Sequence, residues 1–134
     1  MMTEYEKQLL TEDLCQRLPY GVKVSFIASS RPFNTLGGYF DSQFYLTEPE
    51  LWTYPQYIKP FLRSTEEMTE SELKEYLDTM DRIEVGENIY KYIETAKTYK
   101  YLNSHHFDYR GLIEKRYAIA APEEIYEKKI ENEQ

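Results

Sequence analysis

Residues 22–29 read "VKVSFIAS", and the period of these side chains decides how the chain folds. Val22, Val24 and Phe26 alternate with Lys23 and Ser25, the two-residue repeat of a half-buried strand. Just upstream the repeat is different. In "TEYEKQLLTEDLCQRLPYG" Leu10, Leu14 and Leu18 recur four apart, one apolar stripe along a helix. Thr3 with Glu6 three residues later has the form of a capping box, and Pro19 with Gly21 stops the helix. The chain thus passes from helix to strand near Gly21.

Downstream the strand signals continue. "SSRP" is turn chemistry, and "FNTLGGYF" reads as a second strand whose Gly37-Gly38 pair predicts a bulge or sharp bend. "DS" is a short turn before a third strand, "QFYLT". "LWTY" reads as a fourth, "PQYI" as one helical turn, and "KPFLR" as a fifth. Such short strands with tight turns predict a small curled sheet or an SH3-like barrel. Closure would remove most exposed edges, and Pro55 and Pro60 are expected at strand ends.

The second half reads as helical. In "MTESELKEYLDTM" Thr69 is a candidate N-cap with Glu72 as its box partner, and Met68 with Leu73 has staple spacing. Leu73, Tyr76, Leu77 and Met80 would form its buried stripe. A further helix is expected over 87–104, with Ile89, Tyr92, Ile93, Ala96, Tyr99 and Leu102 on one side. A short helix is expected over 109–116, then a tail with weak amphipathic spacing through Ile125 and Ile130. The fold class that follows is α+β: an N-terminal helix, a small five-stranded antiparallel SH3-like barrel or curled sheet, and a C-terminal helical part. The natural division is residues 1–64 against residues 65–134, packed as one unit, with 64–67 as a short linker.

Composition narrows function. The 14 tyrosines and 6 phenylalanines suit a folded chain with thin cores and half-buried interfaces. Net charge is −8, concentrated late: residues 1–64 hold 6 Lys+Arg against 7 Asp+Glu, residues 65–134 hold 10 against 17. Acidity repels phosphate backbones and anionic lipid, so nucleic-acid and membrane binding are not expected. The single cysteine, Cys15, excludes an intrachain disulfide and reads as a small buried hydrophobe. No apolar run approaches bilayer length. The opening "MMTEYEKQLL" is acidic and polar where a signal peptide would be basic and then apolar, so a cytoplasmic location is expected.

"YLNSHHFDYRG", residues 101–111, gathers the only two histidines with Asp108, two tyrosines and Arg110. Zinc needs three or four ligands on a rigid frame, and adjacent histidines on a regular element diverge. No nucleophile turn or glycine-rich oxyanion loop accompanies them, and Gly37-Gly38 lacks the spacing of a phosphate loop. A structural corner explains each residue: histidines beside exposed helix-end carbonyls, Phe107 as an apolar plug, Asn103 for the departure from helical geometry, and Asp108 capping a next helix through Arg110 or Gly111. Neither histidine is then expected to contribute much to stability. No cofactor, metal or catalytic residue is expected. Tyr90, Tyr101, His105, His106, Tyr109 and Arg110 are the candidate interaction surface.

Three phrases, "DLCQRLPYGVKV", "IKPFLRSTEEMTE" and "LNSHHFDYRGLIEK", resemble a family of small proteins carried by gut bacteria and by their phages and mobile elements. The resemblance runs from about residue 9 to residue 126. It implies a cytoplasmic accessory role and brings no activity, substrate or catalytic residue. The expected function is therefore a non-enzymatic protein-interaction module with an unidentified protein partner. One alternative is an acidic decoy that occupies a basic nucleic-acid-binding protein. Another is nucleic-acid binding through Tyr39, Phe40, Phe44, Tyr45, Trp52 and Tyr54, which would need a basic groove beside them.

Overall fold

Thr3 opens the first helix, α1 (Glu4–Arg17), through the anticipated capping box: its hydroxyl accepts from Glu6 N at 3.1 Å, and Glu6 Oε1 accepts from Thr3 N at 2.8 Å. In the computed structural model, which describes residues 2–48 and 50–126, a 3₁₀ turn over Leu18–Tyr20 follows. Gly21, at φ 69°, then swings the chain into the sheet, a left-handed conformation that glycine takes at little steric cost. Leu10 and Leu14 are fully buried, and Leu18 packs at the edge of the same cluster.

β1 (Lys23–Phe26), β2 (Asn34–Phe40), β3 (Gln43–Leu46), β4 (Leu51–Thr53) and β5 (Ile58–Leu62) follow. Asp41 and Ser42, with φ of 53° and 66°, form the two-residue turn between β2 and β3, matching the right-handed twist of a hairpin. The register shifts between Leu36 and Gly38, so the glycine pair does mark a bulge. A Cβ on Gly37 would sit 2.5 Å from Thr47 Cγ2, so the two strands approach there only without a side chain.

The sheet is open. Its order is β4-β3-β2-β1-β5-β8, with β8 (Ile119–Ala120) running parallel to β5 through Phe61↔Ile119 and Leu62↔Ala120. Of the expected five-stranded SH3-like barrel or curled sheet, the closed barrel is not formed: the sheet is open and has six strands, with β4 and β8 at the edges. A strand from the far end of the chain takes the place beside β5 that barrel closure would have filled. Pro60 likewise departs from expectation, lying buried in mid-strand opposite Val24. The Ile27 N–H bonds Tyr57 O at 3.1 Å, which puts Val24 and Pro60 at a non-hydrogen-bonded position, so the missing N–H is not needed by β1.

Val22, Val24, Leu36, Phe44 and Leu62 meet Leu10 and Leu14 of α1 in one core, joined by Leu112 and Ala118 from the second half. Residues from both sides of 64–67 therefore share a single apolar cluster. A 3₁₀ turn, Thr65–Glu67, fills that boundary.

α2 (Glu70–Asp78) starts at Thr69, whose hydroxyl accepts from Glu72 N at 3.1 Å while Glu72 Oε1 accepts from Thr69 N at 3.0 Å. Glu72 also receives both Arg63 guanidinium nitrogens at 2.9 Å. Thr69→Ala should cost about 1 kcal/mol, read as a lower unfolding midpoint, by freeing one helix-end amide and loosening Glu72. The apolar stripe of α2 is not core. Leu73 is 47% exposed and Leu77 37%, while Tyr76 and Met80 are half-buried. Leu77→Ala, a core-sized loss on the sequence reading, should therefore cost about 1 kcal/mol or less in the same assay.

The long helix over 87–104 is also replaced. β6 (Asp81–Gly86) and β7 (Ile89–Ile93) form a separate hairpin, and only α3 (Ala96–Ser104) is helical. Ile83, Val85, Ile89, Tyr90, Tyr92 and Ile93 are β-branched or aromatic, which suits a pleated ribbon better than a helix. Asn88, at φ 61°, supplies the left-handed turn residue. Residues 109–116 make successive turns instead of a helix. Of the tail, residues 127–134, Ile130 included, lie outside the described residues.

Candidate functional site

α3 ends in a way that organises the whole 101–111 stretch. Phe107 N bonds Leu102 O at 2.9 Å and His106 N bonds Asn103 O at 3.1 Å, the paired bonds of a Schellman close. The left-handed position is taken by His106, at φ 62°, not by Asn103, which stays helical. Glycine is usual there, and a side chain with a Cβ costs roughly 1 kcal/mol more. The imidazole offsets that cost by its contacts. It is 4% exposed, Nε2 donates to Tyr20 O at 3.1 Å, and the ring stacks on Tyr126 with centroids 4.0 Å apart. Tyr126 in turn donates to Phe61 O at 2.9 Å and accepts from Lys23 N at 2.7 Å. His106 is therefore a clamp holding the tail to the sheet, and its loss should not be small.

Beside it lies a buried ion pair. Asp13 and Arg17, four apart on α1, are both fully buried; Nε and Nη2 of Arg17 meet the carboxylate at 2.9 and 3.0 Å. Arg17 Nη2 also donates to Phe107 O at 2.6 Å, and Arg110 Nη1 reaches Asp13 Oδ1 at 2.6 Å. Asp108 accepts from Leu112 N at 2.8 Å and Ile113 N at 2.9 Å, two residues beyond the amides of Arg110 and Gly111 that were expected. Phe107 is fully buried, with the Arg63 guanidinium 4.3 Å over its ring. Arg63 N bonds His106 O and Asp108 N bonds Arg63 O, both at 2.8 Å, which zips the corner to the end of β5.

Burial, with the Arg17 charge second, holds His106 down at about 3 from its ordinary 6.5, despite the favourable Tyr20 carbonyl. His105 and Arg63 add smaller repulsions. The unfolded chain takes up this proton near 6.5 and the folded chain only near 3, so stability falls as pH drops between them. The slope is about 1.4 kcal/mol per pH unit at most. Urea unfolding at pH 7, 6 and 5 should show the loss, and His106→Gln should flatten it between pH 6.5 and 5, above the range where carboxylates dominate.

The six candidate surface residues do not form one surface. His106 is inside. Tyr101 donates to Glu72 O at 3.2 Å and Glu75 Oε1 at 3.0 Å, and His105 stacks on it at 4.1 Å. Tyr109 donates to Gln16 Oε1 at 3.0 Å and Asn103 Oδ1 at 3.2 Å, with Arg110 packed over its ring. Tyr90 is on β7, 43% exposed, under the Arg82 guanidinium at 4.3 Å. The aromatic set on the sheet is similarly divided: Phe44 is fully buried, whereas Phe40 and Trp52 are exposed. Cys15 is half-buried, and burial pushes its thiol up. Among the described residues no three His, Cys, Asp or Glu side chains converge as a metal-binding group. Among them, too, no helix is long and apolar enough to cross a membrane.

The exposed apolar surface missed in the sequence lies on α2 and the β6–β7 ribbon. Cross-strand pairing puts Arg82, Glu84, Tyr90 and Tyr92 on one face and Ile83 and Ile93 on the other. Ile83 is 45% exposed, and Val85 and Ile89 are each 59% exposed. Neither strand joins the main sheet. The ribbon's base is fixed by threonines: Thr95 Oγ1 donates to Thr79 O at 2.8 Å, and Thr79 Oγ1 to Thr98 Oγ1 at 3.1 Å. Glu94 adds bonds from Tyr99 at 2.7 Å and Tyr76 at 3.4 Å. Between α2 and the ribbon runs an open groove of about 510 Å³, with Leu73, Leu77, Met80 and Tyr92 in its walls. Ile83 and Val85 alternating with Arg82 and Glu84, then Gly86-Glu87-Asn88 and the β-branched and aromatic run from Ile89 to Ile93, were the available signal for a hairpin.

The fold and this surface define an α+β protein that presents an apolar arm from a fixed base. In comparison with known proteins, no family model matches the chain, and no curated protein or solved structure matches it.

Proposed function

We propose that the protein is a non-enzymatic interaction module of the cytoplasm that binds a protein partner through α2 and the β6–β7 ribbon. The observation that carries this reading is the exposure of Leu73, Leu77, Ile83, Val85, Ile89 and Ile93 on neighbouring elements. A two-stranded ribbon is marginal in water on its own, and exposed apolar side chains gathered on adjoining elements are characteristic of interaction sites. The threonine-fixed base supports it further, because a pre-set arm loses less entropy on docking.

Nucleic-acid binding is less favoured. Lys7, which shares a groove with Tyr39 and Tyr54, is paired with Glu4 at 3.2 Å, so the cation beside these exposed aromatics is engaged. The test is affinity capture from native host lysate with wild type and with Ile83→Ser/Ile89→Ser. A stoichiometric protein that the variant fails to retain supports the reading; identical capture by both rejects it.

A further inference from the structure

We infer that the groove between α2 and the β6–β7 ribbon receives a cationic amphipathic helix of a partner protein. The inference rests on the interaction surface proposed above and names its occupant. Residues 70–94 carry eight carboxylates against three cations. Glu70, Asp78, Asp81, Glu84 and Glu87 are exposed, and no ion pair within the described residues engages them. Glu70 and Asp78 stand in the groove wall itself.

The apolar part is helix-shaped. Leu73 and Leu77 lie four apart on α2, an exposed i, i+4 ridge of the kind a second helix packs against. Tyr92 and Met80 close the other side, giving apolar anchors a place to insert. Glu70 and Asp78 then meet cations that flank such anchors, which speeds encounter and sets orientation. Lys74 and Arg82 also line the groove, but Arg82 is drawn over the Tyr90 ring at 4.3 Å. A second copy of this chain would bring the same excess of carboxylates against it, and each copy carries a net −8. An anionic lipid surface is repelled for the same reason.

The probe is a synthetic amphipathic helix of leucine and lysine, with a leucine–glutamate helix of the same pattern as control. Binding is measured by fluorescence anisotropy at two salt concentrations with the full chain. Wild type should bind the lysine peptide, more weakly at high salt. Leu73→Ser/Leu77→Ser and, separately, Glu70→Lys/Asp78→Lys should each weaken it by roughly tenfold or more, about 1.4 kcal/mol. These side chains are exposed, and an unchanged far-UV spectrum verifies that the variants fold. No binding of the lysine peptide, equal binding of the glutamate peptide, or indifference to both variants overturns the inference. Sedimentation equilibrium covers self-association: a dimer lost in Leu73→Ser/Leu77→Ser assigns the groove to a second copy and overturns the cationic occupant, leaving the interaction surface standing. If the ribbon variant also captures the same proteins as wild type, the broader reading fails as well.

Discussion

Phe107→Ala should lower stability by about 3–5 kcal/mol, with a fall in melting temperature on the order of 10 °C. The ring is fully buried and sits under the Arg63 guanidinium at 4.3 Å. The tyrosine ring of 101 and the imidazole of 105 lie near-parallel to it, at 6.4 and 6.3 Å. Removing the ring leaves a hole in a segment whose backbone cannot shift freely. The Phe107 carbonyl accepts from Arg17 at 2.6 Å, its amide closes α3 on Leu102 O, and its neighbours are bonded to Arg63 on both sides. A cavity that cannot collapse costs the upper part of the usual range. Chemical denaturation of wild type, Phe107→Ala and Phe107→Leu gives the ordering; a loss near 1 kcal/mol for alanine would mean that the corner relaxes into the space.

Asp13→Ala should cost about as much, roughly 3–5 kcal/mol, for an electrostatic reason. Asp13 neutralises two guanidinium groups at once: Arg17, fully buried, and Arg110, mostly buried at 16% side-chain exposure. With the carboxylate gone, Arg17 keeps the Phe107 carbonyl and the Tyr109 ring at 5.5 Å, and its Nη1 already lacks a hydrogen-bond partner among the described residues. An uncompensated charge in the interior is more costly than the pair was worth. Replacing both members, Asp13→Leu with Arg17→Met, should therefore recover much of the loss, although Phe107 O then forfeits its donor. Equilibrium unfolding of the single and double variants measures the coupling; a single-variant loss below 1 kcal/mol would show that water or another anion reaches Arg17.

The local rules of the chain were readable residue by residue. Both capping boxes, Thr3 with Glu6 and Thr69 with Glu72, stand where the spacing put them. Gly21 ends the first helix, Asp41-Ser42 turns the second hairpin, and Gly37-Gly38 marks the bulge. The stretch 101–111 is a structural corner, as its residue types indicated, but its internal assignments differed. His106 took the left-handed position and the interior, because a ring stacking partner, Tyr126, arrives from twenty residues further along the chain. Asp108 capped Leu112 and Ile113 because the chain there turns instead of continuing as a helix. The apolar arm was not read, since Ile89, Tyr92, Ile93, Ala96 and Tyr99 satisfy a helical period as well as part of a strand alternation.

What the sequence alone determined is therefore the set of interactions that close within a few residues: caps, turns, the bulge, and the change of period at Gly21. Each depends on one side chain and backbone groups next to it, so neighbours in sequence suffice. Tertiary structure decided the rest. Whether the sheet closed depended on β8, more than fifty residues beyond β5, arriving to pair with it. Whether the α2 leucines were core depended on what lay opposite them, and nothing among the described residues covers Leu73 and Leu77 fully. Whether Asp13 and Arg17 were surface charges or an interior pair depended on Phe107 and Arg110, bonded to them across 90 and 97 positions. Period specifies which side chains share a face; only the packed chain specifies what that face meets.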